Sequence, residues 1–150
     1  WSDGSLSDFE RPLNPRGQET APLMADWLLR QNCWPDTVLL STATRTRETW
    51  SRMRRHAIDY AIQTTEKSLL GLSDMEYDLP SFLDDSKHLL FLALGHNQGM
   101  EELASILKKQ TVTMPTASIV VFHFETIVQD INDQIAHFQC QINPRNLQKT

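Results

Sequence analysis

Two hydrophobic periods alternate along the chain. Continuous apolar runs at 37–40, 88–94 and 117–124 fit strands covered on both faces, and the stretches between them space their apolar residues as helices do. Asn14 followed by Pro15 forms an N-cap and a first helical position, which predicts a helix over 15–30. On it Leu23, Trp27 and either Met24 or Leu28 share the buried face, while Asp26 and Arg30 turn largely to solvent. After a turn through 32–35 come the strand at 37–40, Ser41, and a polar, Arg-rich helix from about 44 to 55. Residues 68–72 read as a strand and 74–84 as a short helix interrupted near Pro80. The run at 88–94 ends in Gly95-His96-Asn97-Gln98-Gly99, and 100–109 has helical composition, giving strand, Gly-rich turn, helix. Over 135–142, Phe138, Cys140 and Ile142 alternate with His137, Gln139 and Gln141, as in a half-buried edge strand.

Strands alternating with helices define an α/β class: a doubly wound, mainly parallel sheet with helices on both faces. No repeat, low-complexity tract or linker divides the chain, so 1–150 reads as one domain, and 150 residues at 40% hydrophobic suffice for a core. A formal charge of -5 argues against nucleic acid as a partner, because phosphate backbones need a broad basic surface. No apolar run approaches the roughly 20 residues that span a bilayer. The expected location is therefore cytoplasmic, with no membrane partner. Cys33 and Cys140 lack the close paired spacing of a zinc or dithiol motif and read as reduced thiols.

Ligands of open α/β sheets sit beyond the carboxyl ends of the strands, and two candidates fall there. Arg45 lies in the first turn of a helix after a strand, where free amide N–H groups and the helix dipole favour an anion. His96 follows another strand directly and precedes a helix. Arg11, in the loop before the first helix, can cover the same pocket. Guanidinium forks match phosphoryl oxygens bidentately and neutralise charge spread over a transferring group, and a protonated His96 adds a donor. Asn97, the other polar residue of the turn, is a secondary candidate. Taken singly, an arginine at a helix start is an ordinary surface charge.

Leu6-Ser7-Asp8-Phe9-Glu10-Arg11-Pro12-Leu13-Asn14-Pro15-Arg16-Gly17, Ser41-Thr42-Ala43-Thr44-Arg45-Thr46-Arg47-Glu48-Thr49 and Gly95-His96-Asn97-Gln98-Gly99-Met100-Glu101-Glu102-Leu103 resemble the histidine phosphatase superfamily, also called phosphoglycerate mutase-like. The nearest pattern is its SixA-like phosphohistidine phosphatase branch, which Met114-Pro115-Thr116-Ala117 and Pro144-Arg145-Asn146-Leu147 also resemble. The resemblance implies a doubly wound α/β fold, with Arg11, Arg45 and His96 as catalytic phosphate ligands. Arg47 matches a further arginine of the branch and is a secondary candidate. Neither a metal nor a cofactor is implied.

One departure matters. Members of this superfamily open with an apolar strand ending in Arg-His-Gly or Arg-His-Ala, whose histidine attacks phosphorus. That element is absent here, and Trp1-Ser2-Asp3-Gly4 resembles the loop just after it. His56, His88, His123 and His137 do not stand in its position. The expectation is an N-terminally incomplete chain, inactive by itself.

For the intact protein the resemblance implies a metal-independent hydrolase working through a phosphohistidine enzyme intermediate. An ester substrate also needs an acid for its alkoxide, and Asp8, Glu10, Glu66, Asp74 and Glu76 are candidates by location alone. Phosphohistidine relaxes that need, since imidazole, with a pKa near 6.5, leaves more readily. The expected substrate is a phosphohistidine protein. A small phosphate ester within the same superfamily is the alternative, and a noncatalytic phosphate-binding module is another. The cluster Arg47, Arg52, Arg54 and Arg55 reads first as a solvated helix face and second as a dock for an acidic partner.

Overall fold

The computed structural model describes residues 4–7, 9–56, 63–67, 90–95, 97–124 and 136–147. Helix α1 (Pro15–Arg30) starts as its cap dictates: the Gly17 N–H donates to Asn14 Oδ1 at 2.8 Å, and Pro15 takes a position where its missing N–H is no loss. It ends in a Schellman turn, with Asn32 left-handed at φ 54, Cys33 N–H donating to Leu28 O and Asn32 N–H to Leu29 O. The buried stripe of α1 is Gly17, Thr20, Ala21, Met24, Ala25 and Leu28. This corrects the expected face, because Leu23 and Trp27 are only half-buried flanks. Small residues on the stripe let a neighbouring element come close, and Met24 and Leu28 supply the volume.

Strand β1 (Thr37–Ser41) is buried throughout, and helix α2 (Thr44–Arg54) follows it. Strands β2 (Gln63–Lys67) and β3 (Phe91–Leu94) pair with β1 in parallel on either side, giving the order β2-β1-β3. The side chains of β1 divide by the strand's period of two. Val38 and Leu40 join Ala21, Met24, Ala25, Leu28, Trp50 and Met53 of α1 and α2 in one cluster. Leu39 faces the other way and packs on Leu103 and Leu107 of helix α3 (Asn97–Lys108). Helices therefore cover this sheet on both faces.

Strands β4 (Ile119–Phe124) and β5 (Ala136–Ile142) form an antiparallel pair with an irregularity between Val121 and Phe122, and the short helix α4 (Pro144–Leu147) follows. The pair continues the same layers: Ile119 and Ile142 pack on the cluster under α1, while Phe122, Phe124 and Ala136 pack on the one under α3. Among the described residues no ladder joins β3 to β4, so the single mainly parallel sheet expected from sequence is here a parallel three-stranded sheet and an antiparallel pair. Leu92, Ala93 and Leu94 of β3 and Ile119 to Phe122 of β4 are only half-buried, whereas the similarly apolar β1 is fully covered.

Strand β2 lies upstream of the strand expected at 68–72. That segment and the expected helix at 74–84 lie outside the described residues. No described helix is long and apolar enough to cross a membrane.

Candidate functional site

The register of the parallel sheet builds the site. Leu40 of β1 pairs with Leu94 of β3, so two carboxyl ends stand side by side, and each runs within a few residues into a helix. At the end of β1, Ser41 is fully buried, and its Oγ accepts the Ala43 N–H at 3.2 Å, which turns the chain into α2. Arg45 is the second residue of that helix and is half-buried. The Thr49 hydroxyl donates to the Arg45 carbonyl at 2.8 Å, one turn along.

After β3 comes Gly95. Its φ is not in the left-handed region; a Cβ there would stand 3.0 Å from Met100 Sδ, so the glycine serves close packing of the turn on α3. His96 lies outside the described residues, and so do the side chains of Asn97 and Gln98, although Asn97 opens α3.

The loop bearing Arg11 is bonded to the start of α2 at two points. Thr44 N–H donates to the Phe9 carbonyl at 3.1 Å, and Leu13 N–H donates to Glu48 Oε2 at 2.6 Å. Arg11, exposed, thus leaves a backbone fastened to the helix turn that carries Arg45. Arg47 is exposed and leaves α2 about 200° around its axis from Arg45, so the two arginines serve different faces.

Glu48 went unnoticed in the sequence. Its signal is position: it is the one carboxylate in the Arg-rich helix Thr44–Arg54. What it holds, the Leu13 N–H, is a backbone group far away in the chain.

Of the acid candidates, Glu10 sits in a turn where Ser7 Oγ–H and Ser7 N–H donate to Glu10 Oε2 at 2.8 and 3.2 Å. The hydroxyl first and the amide second hold its pKa below the usual carboxylate value of 4.5, although slight desolvation opposes them. A general acid for neutral pH needs the opposite shift. Glu66 stands in β2 beside Leu40 by backbone register, and Asp8, Asp74 and Glu76 lie outside the described residues.

His123 and His137 face each other across β4 and β5 with ring centroids 6.4 Å apart, and His56 lies just beyond α2, where its Nδ1 is 3.4 Å from Asp26 Oδ1. Among the described residues no group of three or more His, Cys, Asp or Glu is arranged to hold a metal. Cys33 and Cys140 are free thiols, and burial, with a smaller contribution from Cys33, pushes the Cys140 thiol above its ordinary value.

The chain is similar to an uncharacterized chloroplastic protein of Arabidopsis thaliana, 30% identical over an alignment of 127 residues that covers 79% of this chain. It spans 58% of that curated relative's length. No family model matches. Among solved structures it resembles a protein histidine phosphatase SixA complexed with tungstate, at TM-score 0.78 and 20% identity over 95% of this chain and 90% of the other. A provisionally named phosphohistidine phosphatase SixA from Agrobacterium tumefaciens gives TM-score 0.75 and 22% identity over 96% of this chain and 90% of that one. Another, from Nakamurella multipartitia, gives 0.72 and 21% over 93% and 88%. The α/β fold is therefore the one these SixA structures share.

Proposed function

We propose that this chain holds and polarises the phosphoryl group in a phosphohistidine phosphatase, a metal-independent hydrolase. The observation carrying this reading is that β1 and β3 end side by side in register, each leading into a helix, and that the Arg11 loop is bonded to the first turns of α2, which carries Arg45. Arg11, Arg45 and His96 would surround the phosphoryl oxygens with charge-assisted donors, Asn97 standing beside them. Resemblance in fold to SixA structures supports the same chemistry.

In the intact protein the attacking imidazole would come from a further strand. Half-exposure of the apolar strands β3 and β4, unjoined among the described residues, supports a place for that strand between them. The attacking nitrogen bonds to phosphorus as the substrate's N–P bond breaks. A departing imidazole already protonated on its other nitrogen leaves neutral and needs no added acid. Water then cleaves the enzyme phosphohistidine, releasing inorganic phosphate and restoring the histidine.

A small phosphate ester would need an acid for its alkoxide, a role that the lowered pKa of Glu10 does not suit, whereas phosphohistidine needs none. Phosphohistidine protein is accordingly the proposed partner, and neither nucleic acid nor membrane is. With a chloroplastic relative, the aqueous compartment is cytoplasmic or plastid. Full-length protein assayed on phosphohistidine protein, sugar phosphates and p-nitrophenyl phosphate tests the reading. Phosphohistidine should be preferred, and preference for an ester would reverse the substrate assignment.

A further inference from the structure

A cationic cleft has neither Arg11 nor Arg45 in its lining. Arg16, Pro115, Thr116, Asn143, Pro144 and Arg145 enclose about 230 Å³. Arg16 comes from the first turn of α1, Thr116 from the connection into β4, and Asn143 and Arg145 from the end of β5 and the start of α4. The segment before β4 is anchored: Val112 N–H donates to Ser105 Oγ at 2.9 Å, Met114 N–H to Glu101 Oε1 at 2.7 Å, and Gln141 Nε2 to the Thr113 carbonyl at 2.8 Å. The walls are thus placed by the fold.

The lining is one-sided in chemistry. It holds two arginines and no carboxylate, in a chain whose net charge is -5. Among the described residues neither the Arg16 nor the Arg145 side chain makes a hydrogen bond or ion pair. The Ser118 hydroxyl reaches both the Pro115 carbonyl at 2.5 Å and Asn143 Oδ1 at 2.6 Å, which holds Asn143 at the cleft with an NH₂ able to donate. Thr116 adds a hydroxyl. Two forks, an amide NH₂ and a hydroxyl form a donor set suited to an oxyanion. The volume falls short of the roughly 300–1,000 Å³ of pockets for whole drug-sized ligands, and fits one anionic group with a short attachment.

We infer that this cleft is a second oxyanion subsite, taking a phosphoryl or carboxylate group. It stands on its own lining and does not depend on phosphatase chemistry, since neither Arg11 nor Arg45 lines it.

The test is an amide NMR titration of the full-length protein with inorganic phosphate and, separately, with succinate. Saturable shifts at Thr116 and Asn143 are expected, with affinity falling about tenfold in Arg16→Ala and in Arg145→Ala. Arg45→Ala should leave these shifts intact, and Arg145→Lys should lose only part of the affinity because charge remains without the fork. Both arginines are exposed, so the variants should fold, as circular dichroism would verify. Response to phosphate alone identifies a phosphoryl group, and response to succinate alone a carboxylate. Absence of saturable shifts with both anions, or their survival in the doubly substituted Arg16→Ala/Arg145→Ala protein, would overturn the assignment. If the subsite stands while turnover fails, the fault lies with the phosphatase reading.

Discussion

The backbone N–H of Leu13 donates to the carboxylate of Glu48 at 2.6 Å, and that bond ties the loop carrying Arg11 to the helix carrying Arg45. A bond to a charged acceptor contributes about 1.5–3 kcal/mol. Because the contact is only part-buried, Glu48→Ala should cost about 1–2 kcal/mol in urea unfolding while weakening phosphate binding by about tenfold. Glu48→Gln, which keeps an acceptor, should recover part of both. If binding is untouched in Glu48→Ala, Arg11 does not depend on this tether.

Gly17 sits inside the cap of α1, where a Cβ would run into the Leu13 side chain and approach Asn14 Oδ1 at 3.4 Å. Gly17→Ala should therefore destabilise by about 1–3 kcal/mol through overpacking, despite alanine's better helix propensity. Asn14→Ala should cost about 1 kcal/mol through loss of the cap alone. Thermal unfolding compares them, and a Gly17→Ala protein more stable than the parent would contradict the packing described.

Glu10 titrates below its ordinary value because Ser7 bonds its ionised form. The contribution of this turn is present above pH about 4.5 and is lost as pH falls through the lowered folded value. Carboxyl NMR should find the Glu10 midpoint below that of an unfolded-chain glutamate, and Ser7→Ala should return it upward. A midpoint at or above the ordinary value would restore Glu10 as a candidate acid.

Cys140 has a thiol pushed upward by burial. At pH about 8 a smaller thiolate fraction should make native Cys140 react with iodoacetamide more slowly than in the urea-unfolded chain. Equal rates in the two states would show the thiol to be unprotected.

Much of the fold was legible wherever a local signal coincided with burial. The pair Asn14 and Pro15 marked the start of α1, and the run at 37–40 marked the central strand, because capping and burial act on neighbouring residues. Strand β2 was not legible: Gln63–Lys67 is polar, and what places it is ladder pairing with β1. The buried face of α1 was misjudged because periodicity favours the largest side chains, whereas the core took Gly17, Ala21 and Ala25. At the site, strand-end position singled out Arg45 and His96 and the loop before α1 offered Arg11, yet Glu48 acts through a bond spanning 35 positions, and Arg16 and Arg145 line one cleft only in three dimensions.

The central claim is the proposal that Arg45 helps hold a phosphoryl group while the attacking imidazole comes from a further strand. Calorimetry with phosphate or vanadate on the 150-residue chain, run beside a phosphohistidine turnover assay, tests it most directly. The account predicts weak anion binding that Arg45→Ala abolishes at the Arg11 and Arg45 pocket, with no turnover. Turnover by this chain alone, or binding at that pocket indifferent to Arg45→Ala, would contradict it.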